Sequence, residues 1–126
     1  MKLELSGEPM AQVCCHCEDC QAAHGAAFLK VAIYPVNAVK VTRGNPVSWK
    51  VVRTARVTCP HCGTHLYQEP PGFPVKGVNG YLLPTGMFAP TWHQQCQHSV
   101  GPVKDGLPHY KGCPAAIGGS DEMADW

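Results

Sequence analysis

Charged side chains are scarce in this sequence: Asp, Glu, Lys and Arg make up 15% of its 126 residues, against roughly 25% in an ordinary soluble domain. The charge that is present balances to a formal +1 at pH 7, with ten Lys and Arg in all. Such a chain lacks the electrostatic footprint of a dedicated nucleic-acid binder. Long hydrophobic runs are missing as well. No apolar stretch approaches the roughly 18 residues that a membrane-spanning helix needs. The opening Met1-Lys2-Leu3-Glu4-Leu5-Ser6 has no stretch long enough for a signal peptide. These absences predict a cytoplasmic protein with neither nucleic acid nor membrane as partner. The length leaves room for one domain, residues 1–126, with one modest core.

Other residues are plentiful. There are 8 cysteines, 7 histidines, 12 prolines and 13 glycines. Proline and glycine at that density argue against long helices. Eight cysteines in a reducing compartment point to metal rather than to disulfides.

Most of the apolar pattern has period two, so the predicted class is mainly β with one short helix. Leu3 and Leu5 alternate with Lys2 and Glu4, and Val39 and Val41 with Lys40 and Thr42. Val47, Trp49 and Val51 alternate with Ser48 and Lys50, and Gly44-Asn45-Pro46 reads as the turn of a hairpin joining these last two runs. Phe28 to Tyr34 is a short apolar run that Pro35 ends, and Val57 to Tyr67 reads as a second hairpin with Cys59-Pro60-His61-Cys62-Gly63 at its tip. The helix is expected over Glu18 to His24, with acidic residues in its first turn and Gly25 placed to end it. The polar tail, residues 115–126, is expected to be mobile.

The cysteines fall into two clusters. In Cys14-Cys15-His16-Cys17-Glu18-Asp19-Cys20, strand alternation puts Cys15 and Cys17 on one face, and the first helical turn returns Cys20 to it. One metal can gather these three thiolates, and zinc suits such a soft donor set. Three protein ligands leave a fourth position open, as in catalytic zinc sites; the same run could instead supply part of a closed structural site. Cys14 then faces the other way as a small core residue, and so does His16. The second cluster, Cys59-Pro60-His61-Cys62-Gly63, is a knuckle that supplies half of a four-ligand site. Cys96 and Cys113, or His61 and His65, are the candidates for its other half, and none has the spacing of a second knuckle. His24, His93 and His98 could line a pocket or satisfy loop carbonyls, and Trp49 and Trp92 read as core or rim packing.

The order CHCxxC, a helix ending in Gly, CPxCG and then Val78-Asn79-Gly80-Tyr81-Leu82 resembles the glutathione-dependent formaldehyde-activating enzyme family, which has a centromere-protein-V branch. Pro102-Val103-Lys104-Asp105-Gly106-Leu107-Pro108 and the stretch from Pro114-Ala115 to Gly118-Gly119-Ser120 look like that family too. The resemblance runs from about Leu3 through nearly the whole chain. It implies a zinc-binding β-tent fold with two zinc sites. One zinc would be held by Cys15, Cys17 and Cys20. The other would join Cys59 and Cys62 to an N-terminal CxC pair that this sequence lacks. The family's strand carrying that pair would lie upstream of Lys2 to Ser6, so the resemblance implies a domain without its first strand. An exposed sheet edge of that kind would favour a homodimer.

The implied activity is that of a carbon–sulfur lyase acting on a thiol adduct of a small aldehyde, of the glutathione-plus-formaldehyde type. The thiol would be captured at the open three-cysteine zinc. His24, Phe28 and Asn79 are substrate-pocket positions by resemblance. A non-catalytic zinc module, or an inactive shortened member of the family, is the competing reading.

Overall fold

The computed structural model describes residues 1–126. The chain runs β1 (Lys2–Leu5), β2 (Ala11–Cys15), α1 (Glu18–His24), β3 (Leu29–Pro35), β4 (Val39–Arg43), β5 (Val47–Lys50), β6 (Ala55–Thr58), β7 (His65–Glu69), β8 (Val75–Asn79) and β9 (Trp92–Gln94), with short 3-10 turns between several of them. The architecture is mainly β with one helix, as the alternation predicts.

Seven strands form one sheet in the order β5-β6-β7-β8-β3-β2-β9, and β1 pairs with β4 in a separate two-stranded ribbon. Neighbours in the large sheet are antiparallel except β2 and β9, which run parallel. β3 lies well inside the sheet and is buried on both faces, which explains its unbroken apolar run. Leu29 and Val31 on one face pack with Val13, Cys15 and Cys20. Ala32 and Tyr34 on the other pack with Val39 and Val78, and Leu3 and Leu5 of the ribbon close over them. The sheet is thus covered by α1 on one side and by the ribbon on the other.

One expectation needs correction. The run at Val39 and Val41 does not form a hairpin with the run at Val47 to Val51. β4 pairs with β1, and β5 pairs with β6 in the register Val47↔Thr58 to Lys50↔Ala55. Alternation identifies a strand but not its partner, and here Val39 is drawn to the apolar faces of Leu3 and Leu5. In the tail, 115–126, backbone hydrogen bonds and one ring contact reach back to residues 109–111. The Lys111 N–H donates to Glu122 O at 2.7 Å and the Ala124 N–H to His109 O at 2.9 Å. The Trp126 ring then stacks on His109, its plane tilted by only 8°. The hairpin of β6 and β7, with the Cys59–Gly63 knuckle at its tip, forms as expected.

A single cross-strand row ties three neighbouring strands together. Arg56 of β6 stands opposite Gln68 of β7, and Gln68 opposite Gly77 of β8. A Cβ on Gly77 would lie 2.8 Å from Val31 Cγ1 and 3.0 Å from Gln68 Cγ, so the glycine makes room for Gln68. Gly77→Ala is expected to cost about 1–3 kcal/mol through overpacking, read as a lower urea midpoint at unchanged slope.

Candidate metal centre

β2 delivers Cys15 in extended backbone and the chain turns into α1 two residues later. Cys17 is the N-cap, still extended at φ −63° and ψ 151°, and its Sγ accepts the Cys20 N–H at 3.2 Å. A thiol thus fills the place usually taken by a serine or aspartate oxygen. Gly25 ends the helix in the left-handed region at φ 58°, its N–H bonded to Gln21 O. One strand step and one helical turn therefore bring Cys15, Cys17 and Cys20 together, with their sulfurs all within 4.8 Å of one another.

Cys15 and Cys20 are buried and Cys17 is partly exposed. Sulfurs bound tetrahedrally to zinc at about 2.3 Å lie roughly 3.8 Å apart, so the cluster needs only a small contraction to hold such an ion. No fourth His, Cys, Asp or Glu joins the group. The three thiols share protons. Hydrogen bonds from Cys15 and Cys20 hold Cys17 far below the usual thiol range, and the backbone N–H of Cys20 adds to this. Cys15 is held well above that range by the same hydrogen bonds and by burial. Alternation carries Cys14 to the opposite face, where burial first and then Asp105 push its thiol up to about 11.

Arg56 closes the inner side of the cluster. Its guanidinium is buried, with Nη1 and Nη2 each 3.7 Å from Cys20 Sγ. Nη2 also donates to Asp19 Oδ2 at 3.0 Å, and Nη1 to Gln68 Oε1. Nη1 lies 3.5 Å from His24 Nε2. Burial works against the Arg56 charge, but Cys20 and Asp19 outweigh it and the group holds its proton more tightly than usual. Sequence reasoning missed this residue. The partners lie 36 to 37 positions away along the chain, and no spacing rule links them.

His16 points to the other face, as alternation requires. Its Nε2 is 2.9 Å from His93 Nδ1, and His93 Nε2 is 2.8 Å from Asp105 Oδ2. Phe28 packs on the His16 ring at 4.8 Å, and Trp126 lies edge-on to both His16 and His93 at 5.3 Å. The loop that carries two of the sulfurs is therefore anchored from behind by residues near the C-terminus.

The residues anticipated for a substrate pocket do not converge. His24 and Asn79 line a small cavity with Arg56, His65 and Gln68, of about 10 Å³. That is room for a water rather than a thiol substrate. The polar atoms of Asn79 are engaged locally, donating to His65 O at 3.0 Å and accepting from the Tyr81 N–H. Phe28 stands apart, against His16 and His93. Cys59 is buried and Cys62 exposed at one wall of an open groove of about 740 Å³, with Leu3, Leu5 and Leu66 also lining it. No third donor of a metal-binding type gathers with this pair. Cys96 is buried, and Cys113 accepts from Gln95 Nε2 at 3.5 Å. No helix is long and apolar enough to cross a membrane.

A family model described as glutathione-dependent formaldehyde-activating enzyme matches residues 1–103. That span contains all three clustered cysteines, Arg56 and the Cys59–Cys62 knuckle. Comparison with curated proteins returned no match.

Buried His16 and half-buried His24 make the fold sensitive to acid. Burial first, and then His65 and Arg56, push His24 down to about 4 from its ordinary 6.5. Burial and then His93 hold His16 down to about 4 as well. A base whose folded value is depressed contributes stability that is fully present above its unfolded value and lost as pH falls towards the folded one. Urea midpoints are therefore expected to fall between pH 6.5 and 4, and His24→Gln should flatten part of that slope.

Proposed function

Because the chain belongs to the glutathione-dependent formaldehyde-activating enzyme family, we propose that it joins a small thiol to a small aldehyde, with glutathione and formaldehyde as the model pair. The observation that carries this reading is the cluster of Cys15, Cys17 and Cys20, three sulfurs within 4.8 Å and no fourth protein donor. The donor set is soft and suits zinc. When bound there, zinc supplies an open coordination position that favours the thiolate form of an incoming thiol.

The chain's own residues do the rest. Cys15 and Cys20 are sealed in the core, with Leu29 and Val31 packed beside them and Trp92 along the flank. Those apolar neighbours exclude water from one side of the centre. Cys17, partly exposed, marks the side from which a small thiol can approach. His24 sits behind the centre and is held neutral near pH 7, its folded value lowered to about 4. It therefore does not act as an imidazolium acid there, and Arg56 Nη1 occupies its Nε2 side.

In the addition, the thiol S–H bond breaks and a carbon–sulfur bond forms. The carbonyl π pair moves to oxygen, which takes the proton and becomes a hydroxyl. Holding both reactants in one place removes part of the entropic barrier to this bimolecular step. The reverse reaction releases aldehyde from the adduct, which is the lyase direction.

The test combines metal content with turnover. Freshly purified, reduced protein is expected to carry about one zinc per chain at the three-cysteine cluster, and Cys17→Ser should lose it. A second equivalent at Cys59 and Cys62 requires two further donors. Cobalt-loaded protein should change its spectrum on titration with glutathione. It should also speed formation of the hydroxymethyl thioether from labelled formaldehyde, followed by NMR. A spectrum unmoved by thiol, with no acceleration over the uncatalysed reaction, would overturn the enzyme reading in favour of a non-catalytic metal module.

A further inference from the structure

We infer that Arg56 is a positioning residue for the metal centre: its guanidinium donates to the Cys20 sulfur, draws negative charge from it and fixes it as a ligand. The inference rests on the reading of Cys15, Cys17 and Cys20 as a metal site. Three thiolates around a divalent cation sum to a net charge of −1, inside a core of low polarity. A buried negative charge of that kind needs a compensating partner. Arg56 is 2% exposed, and both of its terminal nitrogens lie 3.7 Å from Cys20 Sγ.

Arg56 also has little freedom to leave. Asp19 holds Nη2 at 3.0 Å and Gln68 accepts from Nη1. Gln68 is itself seated against Gly77, where any Cβ would meet its Cγ. The row from Gly77 through Gln68 and Arg56 to Cys20 thus fixes one ligand of the cluster from the sheet, while the helix fixes it through the backbone. Cys20 alone takes the guanidinium contact, while Cys17 accepts the backbone N–H of Cys20, so the three sulfurs are electronically unequal.

Donation by N–H groups stabilises the lone pairs of a thiolate, which makes them poorer electron donors and weaker nucleophiles. An aldehyde that reaches the centre then meets a ligand sulfur at Cys20 that is shielded from attack. Asp19 works in the opposite sense, because its carboxylate competes for the same guanidinium. Removing Arg56 and removing the Asp19 charge should therefore move the electronic signature of the centre in opposite directions. A merely structural role would not.

The experiment uses the full chain loaded with cobalt(II) and reads the sulfur-to-cobalt charge-transfer band. Arg56→Gln is expected to move the band to longer wavelength and to weaken cobalt retention against a chelator about 10- to 100-fold, as for other groups that support metal ligands. Asp19→Asn is expected to move it to shorter wavelength. Should Arg56→Gln fail to fold by circular dichroism, Arg56→Lys carries the test: it keeps a cation without the fork and should shift the band the same way by less. A band unmoved by the Arg56 variant that folds, or shifted in the same direction by Arg56 and Asp19 variants, would overturn the inference and leave the metal site standing. A wild-type chain that shows no charge-transfer band would overturn the metal reading and this inference together.

Discussion

Three sulfur atoms within 4.8 Å of one another, set among Val13, Leu29 and Val31, impose the condition that the rest of the molecule has to meet. Thiolates that close repel, and burial denies them water. Protons shared among the thiols relieve part of the strain, which is why Cys17 is pulled far down while Cys15 is pushed up. A soft cation bound there would relieve more of it. The sheet contributes the remainder through one buried arginine, and that arginine dictates much of its surroundings. Asp19 is its carboxylate partner, Gln68 its amide acceptor, and Gly77 the space that Gln68 needs. Residues on three strands and a helix thus answer to one concentration of charge.

The same extended run that presents Cys15 and Cys17 to the metal side must send His16 to the other. Its ring lands in a layer formed late in the sequence, with His93 on β9, Asp105 beyond it and Trp126 at the end of the chain. Burial works against the Asp105 charge, but the hydrogen bonds from His93 and from the Leu107 N–H prevail and leave its carboxyl below the ordinary range. An ionised Asp105 accepts from His93 Nε2, which leaves His93 Nδ1 free to accept from His16. One tautomer therefore follows from the next. The polar chain gives the cysteine loop a support unlike that on the Arg56 side, where charge compensation dominates.

Much of this was legible in the sequence wherever the determining contacts are short. The helix could be placed at Glu18 to His24 because its cap, first-turn acids and terminal Gly25 are near neighbours along the chain. The Cys59–Gly63 tip could be placed because a tight turn needs its glycine at φ 75°. The convergence of Cys15, Cys17 and Cys20 followed from strand and helix periodicity. What could not be read is pairing over distance. Val39 announces a strand, but it pairs with Leu5 of β1, far off in the chain, which leaves β5 to pair with its next strand, β6. Arg56 looked like an ordinary strand arginine, because only the folded sheet brings it to Asp19 and Cys20. The polar composition of the tail gave no sign of its backbone bonds to His109 and Lys111 or of Trp126 stacking on His109.

The two cysteine clusters show how far residue type falls short of settling chemistry. Both place thiols at the turn of a local element, and both contain a histidine between their cysteines. Around Cys15, Cys17 and Cys20, helix and strand converge on three donors, and a cation from the sheet balances their charge. Around Cys59 and Cys62, a hairpin tip brings two donors beside an apolar groove, with Thr64 Oγ1 3.1 Å from Cys62 Sγ. The first arrangement carries its own ligand set and its own counter-charge. The second is complete only when donors arrive from elsewhere. Under the proposed function, chemistry that depends on a built site belongs to the first cluster, and its partly exposed corner at Cys17 would set the direction from which a reactant comes.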